Sequence, residues 1–160
     1  MQLHLLRHAH AGNPATWEGD DAARPLSDKG RAQADRLGRF LARVGFSPDV
    51  IVTSPKLRAS QTAEIVGEHL RLTPRVDERL GESLDLAAVD ALIESLGHPD
   101  VPVLVGHDPD FSELLAALCA AEGLSMRKGA FARIETAWPL RAGGGELRWL
   151  VPPDLLKPER

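Results

Sequence analysis

Arg7 and His8 stand directly after a run of strand-forming apolar residues, with His10 two positions on, in the stretch His4-Leu5-Leu6-Arg7-His8-Ala9-His10-Ala11-Gly12. Ser54 and Arg58 follow a second such run, Asp49-Val50-Ile51-Val52-Thr53, and His107 follows a third, Pro102-Val103-Leu104-Val105-Gly106. Arginine suits a phosphate because its planar guanidinium donates two parallel hydrogen bonds and keeps its charge at working pH. Histidine can be an uncharged nucleophile at one ring nitrogen while a backbone carbonyl holds the other. Phosphoryl transfer asks a protein for in-line positioning and for compensation of charge on the equatorial oxygens. Two arginines and two histidines can supply both without a metal.

These residues act together only if the fold brings three distant segments to one place. Gln2 to Leu6 reads as a strand followed by a glycine-containing loop. Ser27 is a candidate N-cap for a helix whose apolar stripe is Ala34, Leu37, Leu41 and Val44, ended by Gly45 and Pro48. After the second strand, Ser54-Pro55 reads as an N-cap followed by proline at the first helical position, and Ala59, Ala63, Val66 and Leu70 form that helix's stripe. Leu86 to Leu96 makes a third helix, and Asp110-Phe111-Ser112-Glu113 has capping-box spacing at the start of a fourth that runs through Cys119. Ala130 to Ala137 and Glu146 to Val151, around Gly143-Gly144-Gly145, read as a closing hairpin. Alternating strands and helices predict a three-layer α/β fold with a largely parallel central sheet and helices on both faces. Its ligand crevice lies at the carboxyl ends of the strands, where Arg7, His8, Ser54, Arg58 and His107 all fall.

Three segments, Leu6-Arg7-His8-Ala9, Ser54-Pro55-Lys56-Leu57-Arg58-Ala59-Ser60-Gln61-Thr62 and Val105-Gly106-His107-Asp108, resemble the signature segments of the histidine phosphatase superfamily, which includes the cofactor-dependent phosphoglycerate mutases. Arg24-Pro25-Leu26-Ser27-Asp28-Lys29-Gly30 also matches, and the likeness runs over about residues 2 to 120 in the right order. The resemblance implies that His8 is the nucleophile that becomes phosphorylated, and that Arg7, Arg58 and His107 form the phosphate pocket. Ala9 stands where the family usually has glycine. The compact length most resembles the small SixA-type phosphohistidine phosphatases, which act on phosphorylated histidines of signalling proteins.

Arg79-Leu80-Gly81-Glu82 resembles the Leu-x-Glu segment that carries the proton donor in mutases and many phosphomonoesterases, so Glu82 is the candidate acid. An alkoxide leaving group wants such an acid, whereas imidazole leaves more easily. Glu82 therefore points to phosphate esters while the length points to protein phosphohistidine; the other reading of Glu82 is a solvated loop residue beside Asp77, Glu78 and Asp85. The sequence reading favours a metal-independent phosphatase acting on protein phosphohistidine through a phosphohistidine intermediate. The alternatives are a small-molecule phosphomonoesterase, a mutase, and a catalytically silent phosphate-binding module. Ser54, as cap or ligand, and His10, at the mouth, are further candidate substrate contacts. His8, His10 and His107 could reach a cation, but Arg7 and Arg58 on the same rim would repel it. No cofactor is expected.

A chain of 160 residues suits one domain, here expected over residues 1–151 with a flexible tail over 152–160. The net charge of −4 argues against general attraction to nucleic acid or anionic membrane, so an anion site must be built locally. No apolar run is long enough to cross a bilayer, and no signal-peptide pattern opens the chain, which predicts a cytoplasmic protein. The single cysteine, Cys119, lies in an apolar stretch without a basic neighbour and reads as a core residue rather than a nucleophile. His4, His69 and His98 read as structural or solvated. Trp17, Trp138 and Trp149 can either rim an entrance or pack.

Overall fold

The computed structural model describes residues 1–158. Six strands form one sheet: β1 (Gln2–Arg7), β2 (Val50–Thr53), β3 (Arg75–Val76), β4 (Pro102–Gly106), β5 (Phe131–Thr136) and β6 (Gly145–Val151), in the spatial order β3-β2-β4-β1-β5-β6. Neighbours among β1 to β4 pair in parallel, while β5 is antiparallel to both β1 and β6. Only β5 therefore runs against the rest. Four helices complete the fold: α1 (Asp28–Arg43), α2 (Leu57–Leu70), α3 (Leu86–Ser95) and α4 (Asp110–Cys119).

Side chains alternate across a strand, so each central strand feeds two cores. Leu3, Leu5, Val52 and Leu104 join the core beneath α3 and α4, made by Val89, Leu92, Ile93, Phe111 and Leu115. Leu6, Ile51, Val103 and Val105 face the other way, toward Ala34, Leu37 and Leu41 of α1 and Ala59, Ala63 and Val66 of α2. This is the three-layer arrangement that the alternating pattern predicts. His4 lies on the α1–α2 side, fully buried, its ring stacked on Phe131 at 5.3 Å and edge-on to Phe46 at 4.7 Å. It is a packing residue with its Nδ1 3.3 Å from the Pro102 carbonyl.

Local details depart from expectation in two places. The second helix starts at Leu57, with Lys56 at the N-cap, so Ser54 is not its cap. The fourth starts after Pro109, and Asp110 accepts from the Leu84 backbone N–H at 3.1 Å instead of closing a capping box. Asp108 does the capping from outside, its carboxylate accepting from Ser112 N–H at 3.1 Å and from Ser112 Oγ at 2.7 Å. The segment after Val151, expected as a flexible tail, forms a 3-10 turn over Pro153–Leu156 with Pro153 buried and Leu156 packed against the α1–α2 core. Glu159 and Arg160 lie outside the described residues. Ser27 caps α1 as expected, accepting from Gly30 N–H at 3.1 Å.

Candidate active site

Parallel register sets the site. Arg7 lies opposite Gly106 in the β1–β4 pair and Thr53 opposite Val105 in the β2–β4 pair, so the residues that follow leave the sheet side by side. His8 N–H donates to Gly106 O at 3.0 Å and Ser54 N–H to Val105 O at 3.0 Å, extending both ladders by one step. A side chain at Gly106 would overlap the Phe111 ring, so glycine is what lets α4 pack against the end of β4.

His8 is held from several sides. Gly129 N–H donates to the carbonyls of both Arg7 (3.1 Å) and His8 (2.9 Å), and Ala9 N–H donates to Thr62 Oγ1 (3.1 Å). The Thr62 hydroxyl in turn donates to Arg58 O at 2.7 Å, tying the His8 segment to the first turn of α2. The His8 ring places Nδ1 2.7 Å from the Ala9 carbonyl. A carbonyl only accepts, so Nδ1 carries the proton and Nε2 presents its lone pair. No protein group among the described residues bonds Nε2. Burial lowers the His8 pKa to about 3, and His107, Arg58 and Arg7 add to that effect against the bond to Ala9. The imidazole is neutral at working pH.

Around it stand the expected cations. Arg58 donates from Nη1 to Asp21 O at 2.9 Å and from Nη2 to Asp21 Oδ2 at 3.0 Å. Asp21 also accepts from Arg24 Nε at 3.2 Å, while Arg24 Nη1 donates to Ala11 O at 2.7 Å. Burial favours a neutral Asp21, but Arg58 and Arg24 outweigh it and hold the carboxyl below its usual range. Arg7 Nη1 donates to Met126 O at 2.7 Å and lies 3.2 Å from Asp108 Oδ2. The His107 ring centroid is 5.2 Å from that of His8, and its Nε2 is 2.7 Å from Ser54 Oγ.

Ser54 Oγ already accepts from Lys56 N–H at 3.2 Å, which leaves its own proton free for His107 Nε2. Where the serine proton is donated to Nε2, the neutral His107 ring carries its own proton on Nδ1. His107 Nδ1, Arg7 Nε and Arg58 Nε are buried with no protein partner. Buried donors cost free energy when unpaired, and three at one site mark the place of an acceptor with several oxygens. His107 is also held neutral, with a pKa of about 3 set first by burial and then by Arg58 and Lys56.

The structure thus brings Arg7, His8, Arg58 and His107 together, with Ser54 behind His107. His10 turns toward α1, its Nδ1 2.6 Å from Ser27 Oγ, and its carbonyl is where Gly30 lets the helix approach closely. Glu82 follows a 3-10 turn (Glu78–Gly81) that packs Gly81 against Pro55 and Ser54; its side chain is exposed and makes no hydrogen bond or ion pair with the described residues. Trp17 lines a cavity of about 230 Å³ with Arg24 and Leu26 near the mouth. Trp149 packs on Phe131 and Trp138 on His98. The sequence gives no sign of the bonds from Asp21 to Arg58, from Thr62 to Ala9 and from Asp108 to Arg7, because each joins residues far apart in the chain.

The model of the histidine phosphatase superfamily (branch 1) matches residues 3–87. Over 98% of this chain and 97% of its own length, the phosphohistidine phosphatase SixA of Escherichia coli is 30% identical. The chain belongs to the histidine phosphatase superfamily. A histidine phosphatase of this kind is an enzyme that removes phosphoryl groups. The solved structure of SixA complexed with tungstate superposes with a TM-score of 0.82 at 28% identity, covering 98% of this chain and 100% of that one. An 8-oxo-(d)GTP phosphatase of Mycolicibacterium smegmatis is 30% identical over 94% of this chain, which spans 48% of that protein. The superfamily fold is that of the phosphoglycerate mutases, as the signature segments implied.

Proposed function

We propose that this phosphatase hydrolyses protein phosphohistidine through a phosphohistidine intermediate on His8. The observation that carries the mechanism is the His8 ring itself, with Nδ1–H donated to Ala9 O and a neutral Nε2 left open among Arg7, Arg58 and His107. The Nε2 lone pair attacks phosphorus, the bond from phosphorus to the leaving nitrogen breaks, and the phosphoryl group passes to His8. Arg7, Arg58 and the Nδ1–H of His107 bond the oxygens on which charge accumulates. Water then attacks the same phosphorus, its proton passing to solvent or phosphate, and His8 is released with orthophosphate.

Likeness to SixA over nearly the whole chain supports phosphohistidine as substrate. So does the chemistry of the leaving group, because an imidazole protonated at its second nitrogen departs neutral and needs no dedicated acid. The second reading, a phosphomonoesterase with Glu82 as acid, is favoured by one observation: the turn that ends at Gly81 packs against Ser54 and Pro55, and Glu82 follows it directly. Phosphate release from a phosphohistidine-bearing phosphotransfer domain and from a panel of phosphate esters, for wild type and Glu82→Ala, separates the two. Faster release from phosphohistidine, unaffected by Glu82→Ala, is the expected result. Preference for esters with a loss of about a hundredfold in Glu82→Ala, the scale of general acid catalysis, would transfer the enzyme to the second reading.

A further inference from the structure

Lys128 occupies the tip of a turn that straddles the nucleophile segment. On one side Met126 O accepts from Arg7 Nη1 at 2.7 Å; on the other Gly129 N–H donates to Arg7 O at 3.1 Å and His8 O at 2.9 Å. The turn closes on itself through Ala130 N–H to Arg127 O at 2.9 Å, so it is fixed against the site rather than hanging over it. The Lys128 side chain is half-buried and forms no ion pair or hydrogen bond among the described residues. Burial lowers its pKa, and Arg7, Arg24, Arg58 and Lys29 lower it further. Lys29, in the first turn of α1, likewise has no carboxylate partner among the described residues, and the neighbouring His10 is held against the same helix end by Ser27.

Asp21 and Asp108 offset Arg58, Arg24 and Arg7, and Asp154, itself paired with Lys157 and Arg127, reaches Lys29 only through its field, while no carboxylate among the described residues pairs directly with Lys128 or Lys29. A chain of net charge −4 has carboxylates enough to do so. Like charges gathered without a counter-charge destabilise the empty site and favour an anion that fills it. Lys29 stands two residues after Ser27, which bonds the His10 ring, and its charge reaches Lys128 from the α1 side, whereas the unpaired atoms of Arg7, Arg58 and His107 lie beside His8. The cationic surface is therefore wider than one phosphoryl group.

We propose that Lys128 and Lys29 form a second anion subsite beside the phosphoryl pocket, which selects substrates carrying another negative group close to the phosphoryl that is transferred. This rests on the phosphatase reading and adds the substrate's charge to it. A diphosphate supplies such a group, and so does a phosphohistidine flanked by aspartate or glutamate; both present oxyanions that an ammonium binds as a point charge.

Inhibition of aryl phosphate turnover by orthophosphate and by pyrophosphate, in wild type, Lys128→Gln, Lys29→Gln and Lys128→Arg, tests the subsite; phosphohistidine peptides with acidic or neutral flanks identify its source. Wild type should favour pyrophosphate over orthophosphate, and Lys128→Gln should weaken pyrophosphate about tenfold, the scale of one charge-assisted bond, while shifting orthophosphate less than about twofold. Lys128→Arg should restore the preference. The same loss confined to acidic peptides would assign the subsite to protein substrates. Equal weakening of both inhibitors, or no loss with any acidic ligand, would overturn the proposal. Wild-type aryl phosphate turnover, measured in the same experiment, reports on the phosphatase reading separately.

Discussion

His107 Nε2 sits 2.7 Å from Ser54 Oγ, which leaves Nδ1 as the buried ring nitrogen without a protein partner. With Lys56 N–H donated to the same oxygen, we expect the serine proton to go to His107 Nε2 and the His107 hydrogen to stay on Nδ1. Ser54→Ala removes the constraint while leaving the charge of the pocket unchanged. We expect a loss of about tenfold in kcat with a smaller change in KM, because the donor matters most as charge builds on the phosphoryl oxygens. Nitrogen-15 NMR of the imidazoles should show the Nδ1–H tautomer of His107 in wild type and a mixture in Ser54→Ala. A wild-type Nε2–H tautomer would contradict this account.

Ala9 places a methyl group at the position where the family resemblance led us to expect glycine. It is fully buried within the α1–α2 core, and its φ is not positive, so the side chain incurs no backbone strain. Ala9→Gly should lower unfolding stability by about 1 kcal/mol, through lost packing and added unfolded-state freedom. Denaturant titration measures this. Turnover should change less than about threefold, because the Ala9 carbonyl and N–H that hold His8 and Thr62 are backbone groups.

Three buried histidines predict acid sensitivity. His4, His8 and His107 are lowered from 6.5 to about 4, about 3 and about 3, burial being the leading cause in each. An unfolded chain takes up these protons near pH 6.5 and the folded chain does not. Their contribution to stability is therefore complete above pH 6.5 and is lost progressively as pH falls toward 4 and 3, by up to about 1.4 kcal/mol per unit and per group. His4→Phe, which keeps a ring between Phe131 and Phe46, should flatten part of that decline. Urea unfolding at pH 7, 5.5 and 4.5 is the check, and a decline as steep in His4→Phe as in wild type would refute the assignment to His4.

Much of the site is legible in the chain because strand ends are local features. Arg7, His8, Ser54 and His107 each follow an apolar run directly, and a parallel sheet gathers such ends on one edge. What the sequence concealed lies at long separation: Asp21 and Arg58 are 37 positions apart, Ala9 and Thr62 are 53, and Arg7 and Met126 are 119. No periodicity announces such pairs. Ser54 misled as a cap because an N-cap and a bend preceding a helix share the same Ser-Pro chemistry, and only the partner of its hydroxyl tells them apart. β3 escaped because a two-residue strand of arginine and valine carries no alternation to read.

Arg58 is the cation whose loss should be felt most, since its guanidinium is buried and supplies an unpaired Nε beside the bonds to Asp21. Tungstate or orthophosphate at about a hundred times its dissociation constant should stabilise wild type by about 2.7 kcal/mol. Arg58→Ala should abolish most of that gain in a thermal shift assay. Retention of the full shift would place the anion elsewhere.

The proposed mechanism places a covalent phosphoryl group on His8. Rapid-quench labelling with a phosphorus-32 phosphohistidine donor, in the presence of a chelator, should give a phosphoenzyme that is stable in base, labile in acid and absent from His8→Ala, formed at least as fast as orthophosphate appears. Turnover retained by His8→Ala, or release of orthophosphate from wild type with no labelled protein at any time, would contradict the account.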